Sequence, residues 1–82
     1  MTEIYIENDY DRAVKGEHNH WNYIAVTGEY SSNQVEVVDL RPLGNGKYLV
    51  GEHSVAHRNY LKTLKRVTNK EVIEQITKIL TR

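Results

Sequence analysis

The chain has 82 residues and no cysteine, which allows one modest core and excludes a disulfide framework, a thiol nucleophile and a thiolate metal site. Eleven Lys and Arg balance eleven Asp and Glu, and no apolar run approaches the ~20 residues of a membrane span. We therefore expect a single domain over residues 1–82, cytoplasmic and away from membranes, since the acidic start Met1-Thr2-Glu3-Ile4-Tyr5 is unlike a secretory signal.

Along the chain, Ile4 and Ile6 alternate with Glu3, Tyr5 and Glu7, the pattern of a half-buried strand. Asn8-Asp9 then caps a short helix through Asp11–Val14, stopped by Gly16, and residues 17–22 form a polar loop. Tyr23–Thr27 and Val35–Leu40 read as strands joined by a turn at Ser31-Ser32-Asn33. Asn45-Gly46 is a strong hairpin signal, because both central residues of its turn require positive φ. Tyr48-Leu49-Val50 completes a three-strand meander that Gly51 ends.

The last third predicts two helices. Over residues 55–67, Ala56, Tyr60, Leu64 and Val67 fall within a sector of about 80° at helical spacing, with Arg58, Lys62, Lys65 and Arg66 opposite and Ser54 as N-cap. Thr68 and Glu71 have capping-box spacing, Val67 and Val72 that of a hydrophobic staple. Val72, Ile73, Ile76, Ile79 and Leu80 then form an apolar stripe. The fold expected is α+β: a small antiparallel sheet, the meander plus the N-terminal strand, packed by C-terminal helices.

Charge and aromatics are unevenly placed. Residues 1–40 hold eight acids against Arg12 and Lys15, net −6, and residues 41–82 hold nine bases against three acids, net +6. Such a split suits head-to-tail self-association or an anion-facing end. The aromatics are six Tyr and one Trp, rings with polar tips that favour contact surfaces.

Two motifs carry chemistry. Gly16-Glu17-His18-Asn19-His20-Trp21-Asn22-Tyr23-Ile24 recurs in outline as Gly51-Glu52-His53-Ser54-Val55-Ala56-His57-Arg58-Asn59-Tyr60-Leu61. All four histidines lie in these copies, so His18, His20, His53 and His57 form a candidate metal set. The acid-free basic face Arg58, Lys62, Lys65, Arg66 is a candidate track along nucleic-acid phosphates. Enzyme signatures are absent: there is no nucleotide-cradling glycine loop, no nucleophile elbow and no carboxylate pair in an apolar setting.

The stretch Val38-Asp39-Leu40-Arg41-Pro42-Leu43-Gly44-Asn45-Gly46-Lys47-Tyr48-Leu49-Val50, closing at His57–Lys62, resembles the hairpins and final strand of SH3-like barrels of the chromo and Tudor type. That resemblance implies the rival fold, a small barrel with a strand over residues 58–68 and one C-terminal helix. The function expected first is non-catalytic: a small regulator or inhibitor that binds a larger protein without a cofactor. Trp21, partly exposed, would anchor that partner with Tyr23 and Tyr60. Nucleic-acid binding by residues 58–66 and histidine-ligated metal binding are the alternatives.

Overall fold

In the computed structural model, residues 2–16 and 20–81 are described, with backbone alone for Tyr10 and Asp11. The elements run β1 (Ile4–Asn8), α1 (Tyr10–Val14), β2 (Trp21–Glu29), β3 (Gln34–Gly44), β4 (Lys47–His57), α2 (Arg58–Leu61), β5 (Lys65–Arg66) and α3 (Lys70–Leu80). The strands form one open antiparallel sheet in the order β4-β3-β2-β1-β5. Its edges, β4 and β5, lie at opposite ends, so the barrel alternative does not form and the α+β expectation holds.

Alternation sorts the sheet into two faces. Ile4, Ala25, Val38 and Leu40 point to one face and join Val67 and Ile76 in a core that α3 covers with Val72, Ile73, Ile79 and Leu80. Tyr5, Ile24, Val35 and Val37 point to the other face and meet Leu61 of α2. The stripe read from the sequence is thus the inner side of α3. Its cap sits one residue later than the spacing suggested. Asn69, not Thr68, is the N-cap, and its side chain accepts from the amides of Glu71 at 2.9 Å and Val72 at 3.3 Å. Asn is as good a cap as Ser or Thr, and this register leaves Val67 buried beside Val72.

The hairpin joining β3 and β4 is the one the sequence predicts. Gly44 pairs with Lys47, and Asn45 and Gly46 between them have φ of 55° and 73°. A Cβ on Gly46 would also stand 3.1 Å from the Gln75 side chain, so the turn is held against α3.

The region after the hairpin differs from the expected helix. β4 does not stop at Gly51; it runs to His57, pairing Ser54 with Val37, Val55 with Glu36 and Ala56 with Val35. Gly51 marks a bulge. Val38 pairs with His53 but Leu40 with Val50, so Gly51 and Glu52 together lie opposite Asp39. A Cβ on Gly51 would sit 3.2 Å from the Asp39 carbonyl oxygen, which explains glycine there. The predicted helix over 55–67 shrinks to the single turn α2, because the eleven-residue β3 takes a partner along most of its length. Ser54 is consequently a strand residue and caps nothing. Leu61, outside the apolar sector counted at helical spacing, is the residue α2 buries, while Tyr60 stays 44% exposed.

Candidate functional site

The three expected aromatic anchors do not converge. Trp21 opens β2 opposite Asn8, half-buried, with its ring edge-on to His20 at 6.1 Å. Tyr23 lies half-buried on the α3 face, tilted against Tyr48 at 5.9 Å, and the Tyr48 hydroxyl donates to Gln75 Oε1 at 2.6 Å. Tyr60 stands on α2 over the opposite face, where its hydroxyl donates to the Glu7 carboxylate. Tyr23 serves the core, so Trp21 and Tyr60 are left on separate surfaces.

The basic residues do not line one helix face either, because that helix is not there. Arg58 donates to Glu3 Oε2 at 3.3 Å, and the Tyr5 hydroxyl donates to the same oxygen at 2.9 Å. Burial pushes the Glu3 carboxyl up, but these two hydrogen bonds and the charges of Arg58 and Arg66 together hold it below the usual range. The Tyr5 phenol moves up, through burial and its bond to Glu3. On β5, Lys65 pairs with Ile6 and Arg66 with Tyr5, so they point to opposite faces of the sheet. Lys62 is exposed just beyond α2.

The histidines are likewise spread out. His18 lies outside the described residues. His53 and His57 are four residues apart on an extended strand, roughly 13 Å at strand rise, where a helix would have stacked them one turn apart. His20 Nδ1 is buried without a hydrogen-bond partner among the described residues. No group of three or more His, Asp or Glu among the described residues is placed to hold a metal ion.

The face carrying α2 ends in a polar cluster. Arg12, only 9% exposed, donates to Asn22 Oδ1 at 2.8 Å and to the Trp21 carbonyl at 3.4 Å. By register Glu7, Asn22 and Asp39 share this face. Burial raises the Glu7 carboxyl, and the charges of Asp39 and Asp9 add to the rise; burial alone raises Asp39. This is where two carboxylates do stand in a partly desolvated setting, which the sequence concealed because they are 32 residues apart.

An unpartnered surface lies elsewhere, along the outer side of β4. This strand pairs with β3 and with no other strand among the described residues. Leu49, Val50 and Val55 are 55%, 44% and 42% exposed on it, with Leu43 and Tyr30 exposed at its two ends. Tyr30, Glu36, His53, Ser54 and Val55 border a shallow open pocket. Sequence reasoning missed this edge because the bulge resets the alternation: Val50 and Val55 share a face although they are five positions apart. A lone glycine directly after Leu49-Val50, away from any turn signal, was the signal available. No protein-family model, curated protein or solved structure matches the chain.

Proposed function

We propose that the chain is a non-catalytic binding protein, a small regulator or inhibitor, that contacts its protein partner through the outer edge of β4. The observation that supports this is an eleven-residue edge strand with three exposed aliphatic side chains, whose outer backbone pairs with no other strand among the described residues. Such an edge is a template for an added strand: backbone hydrogen bonds give affinity and alternate side chains give selectivity. No helix of the described residues is long and apolar enough to cross a membrane. A cytoplasmic setting is our reading from the cysteine-free composition.

The test is capture from a nuclease-treated lysate by the wild-type chain and by Leu49→Lys and Val55→Lys. Both positions are exposed, so melting temperatures should hold while capture falls tenfold or more. Retention by both variants, with loss in Trp21→Ala, would move the contact to the start of β2. Loss of capture on nuclease treatment alone would favour nucleic acid.

A further inference from the structure

We infer that the pocket bordered by Tyr30, Glu36 and Val55 receives an arginine side chain from the strand that the partner adds to β4. The inference rests on the edge-binding reading and names what the partner must carry. On β3, Glu36 and Val38 lie two positions apart and point to the same side of the sheet, the α3 side. Val38 is fully buried beneath α3 and Glu36 is exposed, so the helix cover ends between them. Three unlike groups meet in the shallow pocket of about 360 Å³ beyond that limit. The Glu36 carboxylate lies over Gly28, where a Cβ would stand 3.3 Å from its Oε2, and it has no hydrogen-bond or ion-pair partner among the described residues. Tyr30 contributes a ring that is 63% exposed, and Val55 an aliphatic side chain that is 42% exposed. An aromatic face, a carboxylate and an aliphatic wall suit a cation carried on an apolar stem. Arginine fits better than lysine, because its planar guanidinium stacks on a tyrosine ring and pairs with both oxygens of a carboxylate. Register supplies the route. Val55 pairs with Glu36 on its inner side, and the outer backbone of β4 pairs with no other strand among the described residues. A strand added there sends every second side chain to the α3 side, so its residue opposite Val55 enters the pocket.

Fluorescence anisotropy with short labelled peptides tests it. One peptide alternates threonine and valine, with arginine in place of the central valine. The control carries citrulline at that position, which keeps the shape and removes the charge. The arginine peptide should bind about tenfold more tightly than the control. Glu36→Gln should remove most of that preference, and Tyr30→Ala should weaken the arginine peptide more than the control. Both positions are exposed, so unchanged circular dichroism certifies the fold of each variant. Equal binding of the two peptides, or a preference that survives Glu36→Gln, overturns the inference; if Val55→Lys then still releases both peptides, the edge reading stands. Binding of both peptides that is indifferent to Val55→Lys contradicts the inference and the edge reading together. An arginine peptide that does not bind at millimolar concentration also overturns the inference, and lysate capture by Val55→Lys then decides the edge reading separately.

Discussion

The two faces of the sheet were built from similar strand residues and met different fates. On one face α3 supplies eleven residues of amphipathic helix, and every central position beneath it is aliphatic: Ile4, Ala25, Val38, Leu40. On the other face α2 supplies one turn, and the apolar cluster stops where Leu61 and Leu64 stop. Beyond it the face carries Glu7, Asp39, Asn22 and Arg12, polar groups held partly out of water. Cover decides composition: a face that a helix spans becomes core, and a face with one turn over it keeps charge at its open end.

Truncation at the covering residues breaks this contrast most severely. Ile76→Ala removes a fully buried side chain from the inner side of α3, and denaturant titration should show a loss in the upper part of about 2–5 kcal/mol. Leu61→Ala should cost less, about 2–3 kcal/mol, because a single turn can settle toward the gap it leaves. Equal losses would mean that α2 is as firmly seated as α3. Asn69→Ala removes the side chain that accepts from two amides at the start of α3, and should lower stability by about 1 kcal/mol with the slope against denaturant unchanged.

The smallest effect sharpens the electrostatic side of the contrast. Glu7 titrates above its ordinary range in the folded chain, so the fold holds that proton more tightly than the unfolded chain does. Its contribution is full below the ordinary carboxylate pKa and is lost as pH rises through the folded value. Glu7→Gln keeps an acceptor for the Tyr60 hydroxyl and should therefore melt slightly above wild type near neutral pH, the gain vanishing toward about pH 4. Glu3 behaves with the opposite sign. Its lowered pKa stabilises the fold above the ordinary range, and that stability is lost as pH falls through the folded value. Glu3→Gln should accordingly melt below wild type near neutrality. Matching pH profiles for the two variants would contradict the asymmetry.

The parts of this architecture that local patterns specify were readable from the sequence. The Asn45-Gly46 turn, the stripe of α3 and the strands at Tyr23–Thr27 and Val35–Leu40 each rest on neighbours within a few residues. The stretch from Val55 to Val67 was misread because its helical periodicity competes with a distant partner. Val35 and Glu36, some twenty residues earlier, hold Val55 and Ala56 in register, and Tyr5 and Ile6 do the same for Lys65 and Arg66. Pairing across that distance leaves no local trace. The candidate sites inherited the same error: the basic face assumed a helix there, and the exposed edge is visible only once β4 passes through Gly51.

Backbone amide exchange along β4 tests most directly whether this edge is the contact surface. The account predicts that amides between Tyr48 and Ala56 on the outer side exchange quickly in the free chain and become protected on partner binding, while amides of α3 change little. Protection that appears on α3 or at the start of β2, with β4 exchanging as before, would contradict it.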